Sequence, residues 1–282
     1  MPVPGPLVST QWLADHLGGE SLVVLDATVL PVEGGGYVAG DEEYFVHGHV
    51  PGAYSADLIE QFSDSEARFP FTRPGREQFE RAAGEHGIAN DVTVIVYDTA
   101  SGQWAARLWW LLRSFGHEEV AVLDGGLTRW RQEERPLETG YLAPVARTFV
   151  AEERDGFWVD KLEVEDVAAG RRPGALVCAV PAKEFSGEAP VRRRAGHIPG
   201  SVSVPAGTLV DRETRLLLTP EALAGRLAPV PRDERVILYC AGGIAATTGA
   251  LALTLLGHRD IAVYDGSLNE WAADPDAELT VA

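Results

Sequence analysis

The chain of 282 residues contains few cysteines, few basic residues and no long apolar segment. Its two cysteines, Cys178 and Cys240, are too few for a disulfide framework and lack the clustered spacing of a zinc site. No stretch reaches the roughly 18 uninterrupted apolar residues of a membrane helix, and Met1 to Thr10 lack the basic start and apolar run of a signal peptide. We therefore expect a cytoplasmic protein without a membrane partner or a metal, and the question becomes whether one thiol is reactive.

Positive charge is also scarce, with 24 Lys and Arg against 42 Asp and Glu and a formal net charge of −18. A nucleic-acid partner is excluded on this ground, because binding to phosphates needs a basic surface that releases counterions. An anionic ligand would need a local positive site. The dense basic runs are Arg171-Arg172 and Arg192-Arg193-Arg194.

The chain is long enough for two domains, and it contains an internal repeat. Three segments recur in the same order: His49–Ala53 and His197–Ser201, Val94–Asp98 and Val236–Cys240, Phe115–Trp130 and Leu256–Trp271. Such order favours duplication of one domain over chance. We predict an N-terminal domain over residues 1–138, a linker over 139–155 and a C-terminal domain over 156–282.

Short apolar, β-branched runs predict three buried strands in each half: Leu22–Asp26, Val92–Tyr97, Val120–Leu123, Ala175–Cys178, Arg235–Tyr239 and Ile261–Tyr264. Ser9 and Thr219, the latter followed by Pro220, are typical helix-capping residues. Strands that alternate with helices predict an α/β fold with a parallel sheet flanked by helices in each half. Ligands of such sheets bind beyond the carboxyl ends of strands, so chemistry is expected just after Tyr97 and Tyr239.

Cys240 stands at that place in the second half, before a glycine-containing loop and the start of an apolar helical run. Gly242 and Gly243 allow the loop to curl with its N–H groups inward. These donors and the positive end of the helix would stabilise a bound anionic sulfur. The alternative interpretation is a small buried hydrophobic residue that ends a strand.

At these residues the chain resembles the tandem-domain rhodanese family of thiosulfate and 3-mercaptopyruvate sulfurtransferases. Phe45-x-x-x-His49-Val-Pro-Gly-Ala53 is similar to the N-terminal signature of the family, and Tyr264–Trp271 is similar to its C-terminal signature, with Leu268 where an aromatic residue is usual. The resemblance implies two rhodanese-like domains, of which the C-terminal one is catalytic. In the N-terminal domain Asp98 replaces the cysteine, so that half should form no persulfide. No metal or organic cofactor is implied.

The resemblance also implies the roles of the site residues. Cys240 would accept a sulfur atom from a small-molecule donor as a persulfide and pass it to cyanide or a thiol acceptor. Backbone N–H groups of the following loop would hold the persulfide, and this loop comprises Ala241, Gly242, Gly243, Ile244, Ala245 and Ala246.

The loop departs from both common forms of the family, which carry Cys-Arg-Lys-Gly in thiosulfate enzymes and Cys-Gly-Ser-Gly in mercaptopyruvate enzymes. Ala241 and Gly242 supply neither charge nor hydroxyl. Ile59 and Phe71 align with an Asp–His pair that supports the loop serine of the mercaptopyruvate enzymes. Loss of this whole device favours thiosulfate as donor, with 3-mercaptopyruvate second.

The family arginine that binds the anionic donor is also missing from the segment around Cys178, where Val180 and Glu184 stand instead. Arg194, with Arg192 and Arg193, could replace it, or these arginines form a solvated surface run.

Other interpretations remain open from the sequence. A phosphatase on this fold needs an arginine six residues after the cysteine, where Ala246 stands. A non-catalytic sulfur carrier or interaction protein is the second alternative. Cys178 is expected to fill the core, with a regulatory role under oxidation as its alternative. His49 and His197 are expected to be structural, each hydrogen-bonded to backbone.

Overall fold

A computed structural model describes residues 2–189 and 194–281. The described chain forms two compact units. The first unit contains residues up to Glu66, Arg73–Arg154 and Arg212–Leu216, and the second contains Ala67–Thr72, Asp155–Asp211 and the chain from Leu217 onward. Segment 67–72, from the N-terminal half of the sequence, thus belongs to the second unit, and segment 212–216, from the C-terminal half, belongs to the first. The domain limits at 138 and 156 stay a prediction.

The first unit is built on a five-stranded, all-parallel sheet with the order β1-β7-β6-β2-β5. Its strands are β1 (Leu7–Val8), β2 (Leu22–Asp26), β5 (Ala53–Ser55), β6 (Thr93–Tyr97) and β7 (Val120–Leu123). An antiparallel hairpin of β3 (Val29–Pro31) and β4 (Tyr37–Ala39) follows β2. The helices are α1 (Thr10–His16), α2 (Arg76–Glu85), α3 (Gln103–Ser114) and α4 (Gly126–Gln132), with a π-helical turn at Glu43–His47.

The second unit repeats this plan with the parallel order β10-β9-β11-β12-β8. Its strands are β8 (Trp158–Val159), β9 (Ala175–Cys178), β10 (Val202–Ser203), β11 (Val236–Tyr239) and β12 (Ile261–Tyr264). The helices are α5 (Lys161–Ala168), α6 (Ala182–Phe185), α7 (Pro220–Arg226), α8 (Ala245–Leu255) and α9 (Ser267–Trp271), with a 3-10 turn at Ala206–Thr208.

Two parallel sheets flanked by helices confirm the predicted fold class. The six predicted strands form, each within one residue of its expected limits. Ser9 and Thr219 cap α1 and α7 by accepting hydrogen bonds from the N–H groups of Trp12 and Ala222. The sequence does not predict the hairpin after β2, because each of its strands has only three residues, too few to show a periodic pattern.

Each sheet is braced by a buried tyrosine at the end of its central strand and by a buried histidine. The Tyr97 hydroxyl accepts the Val50 N–H at 3.2 Å, and the Tyr239 hydroxyl accepts the Ile198 N–H at 3.1 Å. The histidine of each unit contacts a backbone carbonyl through Nδ1 and stacks on an aromatic ring: His49 on Tyr44 and His197 on Phe185. The backbone hydrogen bond expected for both histidines is therefore confirmed.

Candidate active site

Cys240 directly follows β11, the central strand of the second sheet, and its residue is only 2% exposed. The loop 241–244 leads from it into α8, which packs on β11 and β12. Most of α8 is buried, so the helix is fixed against the sheet by its apolar side chains. The predicted arrangement of strand end, glycine loop and helix start is present.

The buried side chain of Ser267, at the start of α9, fastens the cysteine loop. Its Oγ accepts the N–H groups of Cys240 and Gly243, both at 3.1 Å, and donates to the Tyr264 carbonyl oxygen at 2.7 Å. The backbone adds two bonds, from the Leu268 N–H to the Cys240 carbonyl at 3.1 Å and from the Asn269 N–H to the Ala241 carbonyl at 2.9 Å. These hydrogen bonds from the first turn of α9 therefore fix the backbone conformation of the cysteine loop.

Ser267 adopts a φ of +50°, which costs a residue other than glycine about 1 kcal/mol. In the repeat the matching residue of the first unit is Gly126, with a φ of +52°. The second unit thus keeps a hydroxyl where its conformation favours glycine. This is a functional residue that sequence reasoning missed, although the difference between the two repeats was the signal for it.

The six loop residues predicted to hold a persulfide are not equivalent. Gly243, with a φ of +76°, donates its N–H to Ser267 and so differs from the expected inward-facing donor. Ala245 and Ala246 open α8, and N–H groups of a first helical turn have no acceptor within the helix. For Ala241, Gly242, Ile244, Ala245 and Ala246 the role stays a prediction.

The matching loop of the first unit holds a carboxyl group with backbone donors. Asp98 is 1% exposed, and its Oδ1 accepts the N–H groups of Ala100 at 2.8 Å and Gly102 at 3.0 Å. Its Oδ2 accepts those of Trp104 at 2.9 Å and Ala105 at 3.0 Å. Burial raises the pKa of Asp98 above its ordinary value, while these backbone hydrogen bonds act in the opposite direction.

Asp98 matches Cys240 in the repeat, and the four residues that donate to Asp98 therefore match Gly242, Ile244, Ala246 and Thr247. The Thr247 N–H contacts the Ile244 carbonyl at 3.0 Å. The remaining three belong to the predicted loop set. In the first unit the loop between central strand and helix therefore surrounds an acceptor at the strand end with backbone N–H groups. The two loops have equal length, but the left-handed residue is Gly102 in the first and Gly243 in the second, one position earlier.

Cys178 lies at the end of β9, in register with Tyr239 of β11. Its side chain is fully buried and hydrogen-bonds with the Tyr239 side chain, and burial raises the pKa of the thiol to about 12. Both cysteines are free. These contacts agree with the core role expected for Cys178 and give it little nucleophilic character.

The predicted cationic clamp receives no support from Arg194. Its guanidinium donates to the carbonyl oxygens of Asp274 and Ala277 in the C-terminal segment, and a role of Arg194 in donor binding stays a prediction. Arg192 and Arg193 lie outside the described residues. The other basic run forms ion pairs, Arg171 with Asp166 at 2.8 Å and Arg172 with Glu163 at 3.3 Å.

Within residues 2–189 and 194–281, no three His, Cys, Asp or Glu side chains converge as a metal site would require. In the same part of the chain, the helices are all too short or too polar to cross a bilayer.

Comparison with known proteins places this geometry in a class. The model of the rhodanese-like domain matches residues 9–133 and again 177–274. The chain therefore belongs to the rhodanese-like family and contains two copies of its domain.

Particular relatives match over nearly their whole length. A 3-mercaptopyruvate sulfurtransferase of Escherichia coli (strain K12) is 36% identical over 276 residues, covering 95% of each chain. A thiosulfate sulfurtransferase of Gallus gallus is 32% identical over 289 residues, covering 97% of this chain and 96% of the relative. The crystal structure of SseA from Escherichia coli, described as a 3-mercaptopyruvate sulfotransferase with the rhodanese fold, superposes with a TM-score of 0.83 at 31% identity, covering 93% of this chain and 98% of that one.

Proposed function

We propose that this protein is a sulfurtransferase in which Cys240 carries the transferred sulfur as a persulfide. The observation that carries the proposal is the Asp98 carboxylate with its four backbone donors. The second unit has a cysteine at the matching strand end, before a loop of equal length that also leads into a helix, and we infer that a persulfide there would meet backbone N–H groups. Relatives named as sulfurtransferases, similar over nearly the whole chain, support this function.

The reaction has two steps at sulfur. In the first, the Cys240 sulfur attacks the terminal sulfur of the donor, forming an S–S bond while the bond between that sulfur and the rest of the donor breaks. The leaving group takes the electron pair, and it is sulfite from thiosulfate or pyruvate, after protonation at carbon, from 3-mercaptopyruvate. In the second, an acceptor attacks the outer sulfur and Cys240 leaves with the electrons of the S–S bond. Cyanide as acceptor yields thiocyanate.

Within this function we propose thiosulfate or another sulfane compound as the preferred donor. The loop residues Ala241 and Gly242 carry no hydroxyl, and the Asp–His support of a loop serine is replaced by Ile59 and Phe71. A second candidate is 3-mercaptopyruvate, because the relative that is 36% identical bears that name.

The test is cyanide-dependent thiocyanate formation from each donor, with the native chain, Cys240→Ala and Cys178→Ala compared at equal concentration. We expect turnover with at least one donor, its loss to background in Cys240→Ala, and its retention in Cys178→Ala. The ratio of kcat/KM for the two donors decides the donor preference. Equal background rates in all three proteins would contradict the proposal and favour a non-catalytic carrier or interaction protein.

A further inference from the structure

Gly242, two residues after Cys240, lies directly beside the side chain of Asn269. Its φ lies outside the positive range, unlike that of Gly243, so its backbone conformation is open to other residues. A Cβ built on Gly242, however, would lie 2.9 Å from Nδ2 of Asn269, closer than such atoms approach. The Asn269 carboxamide therefore occupies the volume that a side chain at position 242 would fill.

The position of Asn269 is defined by its backbone. It lies in the first turn of α9, and its N–H donates to the Ala241 carbonyl at 2.9 Å. The N–H of the preceding residue, Leu268, donates a hydrogen bond to the Cys240 carbonyl oxygen at 3.1 Å. Asn269, Ala241 and Gly242 are all half-buried. The amide thus sits beside the cysteine loop, at a place that solvent still reaches.

The chemistry at this place is that of a neutral hydrogen-bond donor. Nδ2, and not the amide oxygen, is the atom of Asn269 that lies nearest to the Cβ position of Gly242, and the Pro70 carbonyl oxygen lies 3.9 Å from the same position. Segment 67–72, which contains Pro70, belongs to the second unit. An oxyanion that enters beside Gly242 would therefore meet an N–H donor without a formal charge.

We propose that Asn269 is the donor-binding residue of this site, with its carboxamide contacting the oxygens of the leaving group. The inference rests on the proposed sulfurtransferase function and deepens it. Negative charge grows on sulfite or on the pyruvate enolate as the bond to sulfur breaks, and a hydrogen bond to that group stabilises the transition state. Cyanide has no such oxygen, so Asn269 acts in persulfide formation and not in its discharge to cyanide.

The two half-reactions separate this role from a structural one. Persulfide formation is timed by rapid quench and protein mass spectrometry with thiosulfate and with 3-mercaptopyruvate, and discharge by cyanide is timed separately. Asn269→Ala is expected to slow formation about tenfold, the value of one good hydrogen bond, and to leave discharge within about twofold. Asn269→Asp keeps the shape of the side chain but adds a negative charge that repels the anionic donor, so it should slow persulfide formation further.

Gly242→Ala provides a second route to the same change, because its Cβ would push the amide aside. We expect it to slow formation about as much as Asn269→Ala, with the double variant no slower than either, since coupled changes are not additive. Gly225→Ala in α7, where nothing lies within 4 Å of an added Cβ, is the matched control and should leave both rates unchanged.

The outcomes are distinct. If the wild-type protein forms a persulfide and Asn269→Ala and Asn269→Asp form it at the wild-type rate, this inference is overturned and the proposed function stands. Equal slowing of both half-reactions, or additive effects of Gly242→Ala and Asn269→Ala, would overturn it as well. Absence of a persulfide in the wild-type protein would refute the proposed function together with the inference.

Discussion

Removal of the Ser267 hydroxyl is expected to damage both the stability of the second unit and its chemistry. The fully buried Oγ accepts two backbone N–H groups, from Cys240 and Gly243. A buried N–H left without an acceptor costs about 1 to 3 kcal/mol. Ser267→Ala should therefore lower the free energy of unfolding of the second unit by about 2 to 6 kcal/mol.

Ser267→Gly separates the hydroxyl from the backbone. Both variants lose the same hydrogen bonds, but glycine adopts a φ of +50° without the left-handed cost of about 1 kcal/mol. Ser267→Gly should accordingly be about 1 kcal/mol more stable than Ser267→Ala. Persulfide formation should be slowed equally in both, because the Cys240 loop is released equally.

The assay is urea unfolding followed by tryptophan fluorescence, combined with the rate of persulfide formation in the folded variants. Ser267→Ala with wild-type stability would refute the hydrogen-bond argument. Ser267→Gly with a wild-type rate would show that the hydroxyl is not needed to shape the loop.

Three further predictions concern the buried acidic and thiol groups. Burial raises the pKa of Asp26 from 3.8 to about 6, so its favourable contribution to stability is present below pH 3.8 and is lost as the pH rises through about 6. Asp26→Asn, which keeps an oxygen for Thr28, should match the wild type near pH 4 and be up to about 3 kcal/mol more stable at pH 7; a difference in urea unfolding that does not grow with pH would contradict this. Asp98→Ala leaves four backbone N–H groups without their acceptor and should destabilise the first unit by at least about 4 kcal/mol, with sulfur transfer at Cys240 unchanged; a wild-type unfolding curve would refute this. Cys178, with a pKa of about 12, should react with iodoacetamide at least about 100-fold more slowly in the folded protein than in urea at pH 8; equal rates would exclude its protection.

The strands, the helix starts and the place of Cys240 could be predicted because their signals are local. β-branched apolar runs mark the buried strands, and Ser9 and Thr219 mark helix starts through a single side-chain hydrogen bond each. The repeat then placed Cys240 at the end of a central strand. These features depend on neighbours in sequence, which periodicity and capping rules describe.

The supports of the site could not be predicted, because they depend on contacts between distant segments. Ser267 reaches the cysteine loop from 27 residues away, and the nearness of the Asn269 carboxamide to Gly242 is also a contact between distant segments. The contacts of Arg194 with the carbonyl oxygens of Asp274 and Ala277 likewise join residues about 80 positions apart, so no local pattern indicates them. Nor did any local pattern indicate that segment 67–72 clusters with the second unit.

The most direct test of the central claim is the mass of the intact protein after exposure to thiosulfate or 3-mercaptopyruvate, followed by cyanide. The account predicts the added mass of one sulfur atom on the peptide that contains Cys240, its loss on treatment with cyanide, and the same behaviour in Cys178→Ala but not in Cys240→Ala. No added sulfur with either donor, or sulfur on the Cys178 peptide, would contradict it.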